Sequence, residues 1–125
     1  MAKFGEILEE LRKDNGLSQK ELGNILHVTP GTISNYENNV NLPSTEKLVD
    51  LANYFHVSTD YLLGRCTSRF SPDVWGQNIA GSYTIGELIH AILGMSQDRK
   101  KALALVINDM SLSTTIVQYQ QKETQ

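Results

Sequence analysis

The sequence holds a single cysteine, Cys66, so it offers neither a disulfide framework nor a cysteine pair for a metal. Its three histidines, His27, His56 and His90, lack spacings that would converge on an ion together with Cys66. No apolar run approaches the roughly eighteen residues of a membrane span. The N-terminus shows neither a basic flank nor an apolar signal core, so a cytoplasmic protein without a membrane partner is the simplest expectation. Catalytic signatures are missing as well. There is no Gly-rich phosphate loop with its lysine, and no serine stands in a Gly-x-Ser-x-Gly setting. The expectation is no catalytic residue, no metal, no cofactor and no enzyme.

Positive charge is also scarce. The chain has 125 residues, 40% of them apolar, and a formal net charge of −3, which suits one compact domain plus an appendage or two small units. Through Arg65 six basic residues (Lys3, Arg12, Lys13, Lys20, Lys47, Arg65) face nine acidic ones (Glu6, Glu9, Glu10, Asp14, Glu21, Glu37, Glu46, Asp50, Asp60). Between Lys20 and Lys47 there is no Lys or Arg at all. Such a balance counts against a nucleic-acid partner, which normally draws a basic surface.

One stretch is nevertheless highly organised: residues 17–42, LSQKELGNILHVTPGTISNYENNVNL. Ser18 followed by Glu21 forms a capping box, in which each side chain satisfies an orphan amide of the other's turn. It starts a helix over about 19–26, with Leu22, Ile25 and Leu26 on one face. His27-Val28 is a tight turn that buries Val28 and delivers Thr29 as an N-cap. Pro30 then sits at the first helical position, where its missing N–H costs nothing. A second helix, about 30–38, turns Ile33 and Glu37 inward and leaves Gly31, Thr32, Ser34, Asn35 and Asn38 outward. Those outward residues are small and polar, and none is charged. Two helices of about eight residues joined by so short a turn make a helix-turn-helix, whose second member enters the DNA major groove N-terminus first.

The run resembles the Xre-type (lambda-repressor-like) DNA-binding domain of bacteria and their phages. The matching residues are Arg12 ahead of Gly16-Leu17-Ser18-Gln19, then Glu21-Leu22, Val28-Thr29, Thr32-Ile33-Ser34, Tyr36-Glu37, Leu42-Pro43-Ser44, Leu48, Leu51-Ala52 and Val57-Ser58-Thr59-Asp60-Tyr61-Leu62-Leu63-Gly64. They cover about residues 3–64, half the chain, at the family's spacing. The resemblance implies that Arg12 reaches Glu37 and ties the first helix to the recognition helix, a structural ion pair. It also implies that amides of the loop 38–43 reach phosphates, although Asn there equally serves left-handed backbone. Two residues depart from the family pattern. Gly23 stands where Ala usually packs, weakening its helix by roughly 1 kcal/mol, and His27 stands where Gly usually makes the turn.

The remaining elements follow from periodicity and caps. Phe4, Ile7, Leu8 and Leu11 line one face of a first helix over 3–15, ended by Gly16. Ser44 caps a helix over 45–55 that carries Leu48, Leu51, Ala52 and Phe55 on its inner face. Ser58 caps a short fifth helix over 59–63 closed by Gly64, and Tyr61, Leu62 and Leu63 complete the core. Residues 65–83 lose the pattern and carry Pro72, Gly76 and Gly81, which marks a linker. Phe70, Trp75 and Tyr83 are expected to dock that linker onto one of the units. A second capping box, Thr84 to Glu87, opens an amphipathic helix with Ile85, Leu88, Ile89, Ile92 and Leu93 on one face. Gly94 and Ser96 interrupt it. A longer run follows, with Leu103, Val106, Ile107 and Met110 in one stripe and Leu105, Leu112, Ile116 and Tyr119 in another. Ser113 to Val117 is β-branched, yet helix is the preferred reading.

The sequence therefore predicts an all-α protein. A five-helix DNA-binding domain over 1–64 and a linker over 65–83 precede a C-terminal helical hairpin over 84–125. That hairpin has more apolar surface than two helices can hide against each other, and about forty residues seldom make an independent core. It is expected to form a homodimer through Leu88, Ile92, Leu103, Val106, Ile107, Met110 and Ile116; folding back onto the first five helices as a monomer is the competing arrangement. The partner is double-stranded DNA, with Gly31, Thr32, Ser34 and Asn35 expected at base edges. Gln19, Lys20, Thr29, Asn38 and Asn41 are expected at phosphates. The expected function is a sequence-specific transcriptional regulator, a repressor on a palindromic operator, with room for a protein antagonist. Two alternatives are the DNA-binding antitoxin of a toxin–antitoxin pair and a protein-interaction module that has lost DNA binding.

Overall fold

Single side chains at each end define the helices of the first half. The computed structural model describes residues 3–123, with side chains described through residue 111. Five helices come first: α1 (Phe4–Asp14), α2 (Gln19–Leu26), α3 (Pro30–Glu37), α4 (Thr45–Phe55) and α5 (Thr59–Leu62). Four of them begin on a hydroxyl. Ser18 accepts the Glu21 N–H at 3.0 Å, Thr29 that of Thr32 at 3.1 Å, Ser44 that of Lys47 at 3.3 Å and Ser58 that of Tyr61 at 3.0 Å. Each bond satisfies a first-turn amide that has no partner within its own helix. Of the box expected at Ser18 and Glu21 only the hydroxyl half forms; the Glu21 carboxylate makes no return bond among the described residues.

All five helices end in the same closure. One residue takes the left-handed conformation and the next N–H reaches back five positions, the Schellman arrangement. The five bonds are Leu17 to Arg12, Val28 to Gly23, Val40 to Asn35, Val57 to Ala52 and Arg65 to Asp60, all between 2.8 and 3.1 Å. The left-handed residues are Gly16, His27 (φ 58°), Asn39 (φ 57°), His56 (φ 52°) and Gly64. A residue with a Cβ bears roughly 1–2 kcal/mol of strain there. His27→Gly should therefore raise stability by about 0.5–1 kcal/mol, after allowance for the extra unfolded-chain entropy of Gly. Asn39→Gly should do the reverse, because Asn39 Oδ1 accepts the Gly5 N–H at 3.0 Å and so caps the start of α1. Urea midpoints of the two variants moving in the same direction would contradict this account.

The core gathers Phe4, Ile7, Leu8 and Leu11 of α1, Leu22 and Leu26 of α2, Ile33 and Tyr36 of α3, Leu51 and Ala52 of α4, and Val57, Tyr61 and Leu62. Leu17, Val28, Leu48 and Phe55 pack at its edge. α3 is held between α1 and α2. Two positions differ from expectation: Ile25 and Leu63 are exposed. Tyr36, assigned to neither face by the pattern, is buried. Gly23 is also more than a weak point in α2: a Cβ there would stand 2.8 Å from Val28 O, so Ala would gain propensity but press on the turn.

The chain packs as two units, residues 1–76 and 77–125. The stretch read as a linker carries structure of its own: a 3-10 turn over Pro72–Gly76 and an antiparallel pair, β1 (Asn78–Ala80) with β2 (Tyr83–Thr84). This pair is the one addition to the helical architecture among the described residues. Short strands on both sides of a left-handed Gly81 carry too little alternation to be seen in sequence. The aromatic docking expected here is not made, since Phe70, Trp75 and Tyr83 are all exposed.

In the second unit, α6 (Ile85–Leu93) opens on the full Thr84–Glu87 capping box and is followed by α7 (Gln97–Glu123). Ser113 to Val117 is helical, as preferred, within α7. Between residues 77 and 111 no side chain is buried. Instead, Ile79, Leu88, Ile89, Ile92, Leu103 and Ile107 line an apolar groove of about 340 Å³. Val106 and Met110 are exposed on α7. The side chains of Leu112, Ile116 and Tyr119, and residues 124–125, lie outside what is described.

Candidate nucleic-acid interface

The outward face of α3 is set by what its inward face must do. Ile33, Tyr36 and Glu37 are buried, which leaves Gly31, Asn35 and Asn38 exposed and Thr32 and Ser34 half-buried. Hydrogen bonds rank these groups by availability. Thr29 and Thr32 share a hydroxyl–hydroxyl bond of 2.9 Å. Asn38 Nδ2 turns back to donate to Ser34 O at 2.8 Å and to Ser34 Oγ at 3.3 Å. The Asn35 amide has no intramolecular partner among the described residues, although its backbone carbonyl closes α3 by accepting the Val40 N–H at 2.9 Å. It is therefore the group on this face that is freest to donate and accept together. Lys20, Thr29 and Asn41 are exposed around the same helix-turn-helix.

A buried ion pair fixes the far end of α3. Arg12 Nε donates to Glu37 Oε1, and Nη2 donates to Oε2 at 3.2 Å. The side chains are 11% and 4% exposed, so both charges are largely withdrawn from water. Arg12 Nη1 donates to Leu17 O at 2.8 Å, and Gln19 Nε2 donates to Glu37 Oε2 at 2.8 Å. Three segments thus meet at the Glu37 carboxylate, namely α1, the start of α2 and the end of α3, and Arg12 ties in the turn after α1 as well. The hydrogen bond to Glu37 holds the Arg12 guanidinium above its ordinary pKa, outweighing the opposing effect of burial. Gln19, expected to reach a phosphate, has part of its amide committed to this network.

Three contributions were missed. Asn39 takes the left-handed backbone expected of the loop asparagines, but its cap on α1 was not foreseen. Gly5, beside it, lets α1 lie against the last carbonyls of α3: a Cβ would fall 2.6 Å from Tyr36 O and closer still to Glu37 O. A Gly on the apolar side of a predicted helix was the available signal for this close approach. Lys47 Nζ donates to Leu26 O at 2.7 Å, which ends α2 and removes one of the few nearby cations from the interface. Nothing in the spacing pointed to that bond.

Among the described residues no group of His, Cys, Asp or Glu is placed to hold a metal, and no helix is long and apolar enough to cross a membrane. The helix-turn-helix family model matches residues 8–62. The HTH-type transcriptional regulator ImmR of Bacillus subtilis is 43% identical over 62 residues, covering 50% of this chain and 49% of ImmR. A second B. subtilis relative, the SPbeta prophage-derived uncharacterized HTH-type transcriptional regulator YonR, is 34% identical over 70 residues, 56% of this chain and 65% of its own length. The chain thus spans less than two thirds of either relative. A transcriptional regulator from Listeria innocua has a similar fold, with a TM-score of 0.50 at 24% identity over 88% of this chain and 94% of that one.

Proposed function

We propose that this chain, whose residues 8–62 match the helix-turn-helix family model, is a DNA-binding regulator of the Xre type, a sequence-specific transcriptional repressor that reads a two-fold symmetric operator as a homodimer. The observation that carries the reading is the outward face of α3, where an unengaged Asn35 amide stands between small neutral neighbours on a helix clamped at its far end. Asn35 and Thr32 read base edges, Asn because its amide both donates and accepts at adenine. Gly31 and Ser34 allow close approach. Lys20, Thr29, Asn38, Asn41 and the free part of Gln19 meet phosphates, helped by helix N-termini. Residues 1–64 bind DNA and residues 84–125 pair two copies. Leu88, Ile92, Leu103, Val106, Ile107 and Met110 are the surface buried on pairing, with Ile116 further along α7. Pairing supplies the effective concentration that one short, uncharged recognition helix lacks.

Asn35→Ala tests the assignment. It should cost about 1–3 kcal/mol on the preferred operator and much less on unrelated DNA. An equal loss on all sequences would make Asn35 a phosphate contact.

Salt dependence tests the charge argument. With Lys20 the one lysine beside α3 in each copy, the slope of log K against log salt should be about −2, far shallower than the roughly −10 of a highly basic repressor. A slope near −8 or steeper would show that other cations carry the interface.

A further inference from the structure

The segment after α5 begins as part of the first unit. Arg65 closes α5 through its N–H to Asp60 O and lies 3.3 Å from the Asp60 carboxylate. Four residues on, Arg69 Nη2 lies 3.2 Å from Glu10 Oε1 and Nη1 lies 3.4 Å from Asp14 Oδ2. Glu10 and Asp14 are one helical turn apart on α1, so the fork of one guanidinium reaches both. Arg69 Cζ also stands 5.5 Å from the centre of the Tyr61 ring on α5, within range of a cation–π contact. Both ends of residues 65–69 are thereby pinned to the DNA-binding unit. No sequence motif announced this, and the contacts of α3 do not use it.

We propose that Arg69 is a specificity-determining residue: by strapping residues 65–69 onto α1 and α5 it shortens the tether to the C-terminal unit and fixes the half-site spacing that the dimer reads. This rests on the dimeric regulator reading above. Arg65 stays closed onto α5, so releasing Arg69 frees four residues, which extend to about 14 Å, or about 28 Å of chain in a dimer. Half-sites one helical turn apart are separated by about 34–36 Å. A released tether is therefore long enough to serve spacings that a strapped one rejects, and the added length dilutes the second half-site encounter at the preferred spacing. The carboxylate contacts are half-exposed and screened by salt, so the strap is a weak one that a single substitution opens.

The test uses the full chain, Arg69→Gln and Arg69→Lys. Trypsin cleavage after Arg65 reads the strap without DNA. It should be several-fold faster in Arg69→Gln than in the parent and intermediate in Arg69→Lys. Inverted repeats of the selected half-site, spaced in single base-pair steps over one helical turn, read its consequence. The parent should show one sharp optimum. Arg69→Gln should keep its affinity for a single half-site and its thermal midpoint, while the ratio of best to worst spacing falls at least about threefold. An unchanged cleavage rate or an unchanged spacing profile overturns the proposal. So does a loss of single half-site affinity equal to the loss at the optimum, which would reveal a merely structural role. If the parent itself binds no operator or runs as a monomer, the regulator reading fails with it, and the parent alone reveals that.

Discussion

Arg12→Ala should destabilise the first unit by about 3–5 kcal/mol, measured by urea unfolding of the full chain followed by helical circular dichroism. The substitution removes three hydrogen bonds at once and leaves the Glu37 carboxylate, 4% exposed, with Gln19 as its remaining side-chain partner. An uncompensated buried charge produces most of that loss; the pair itself contributes less, because desolvating two ions offsets much of their attraction. The two quantities separate in a cycle. Replacing Arg12 and Glu37 together by Met should recover most of the stability lost in either single variant. It should not recover operator affinity to the same degree, because the last turn of α3 then loses its tie to α1 and α2. A double variant as unstable as Arg12→Ala would mean that the pair has more net worth than its desolvation allows.

Gly5→Ala should also destabilise, by about 3 kcal/mol, although Ala is the better helix former by roughly 1 kcal/mol. The two effects have opposite signs and geometry decides between them. The new Cβ would meet the backbone carbonyls of Tyr36 and Glu37, which cannot swing away as the tip of a side chain would. Either α1 or the end of α3 must shift, and the shift would disturb the Asn39 cap on Gly5 and the Arg12–Glu37 pair together. Operator affinity should fall further than the fraction folded explains. A stabilised Gly5→Ala would show that α1 does not approach α3 as closely as described.

The sequence reveals most where structure is local. Hydroxyl caps at Ser18, Thr29, Ser44 and Ser58 and apolar spacing between them placed α2 and α4 to the residue and α1, α3 and α5 to within one. The Arg12–Glu37 pair came from resemblance; no spacing argument links residues 25 positions apart. The positions that escaped notice depend on what lies across the fold. Ile25 shares the helical face of Leu22 and Leu26 yet sits at its margin, and Tyr36 is buried although its type is common at surfaces. Asn39, Lys47 and Arg69 each act through a bond to a distant element, so their roles have no periodic trace. The same limit applies to the outward face of α3. Its composition was legible, but which of its amides and hydroxyls were already engaged was not.

In the proposed reading a neutral face carrying Asn35, presented twice through the apolar surface of the C-terminal helices, recognises an operator. Selection of binding sites from random DNA by the full chain tests it most directly. We expect enrichment of one two-fold symmetric sequence, with half-sites a helical turn apart and an adenine that loses its preference in Asn35→Ala. A pool that stays random after repeated rounds at low salt, or that yields an unpaired half-site, contradicts it.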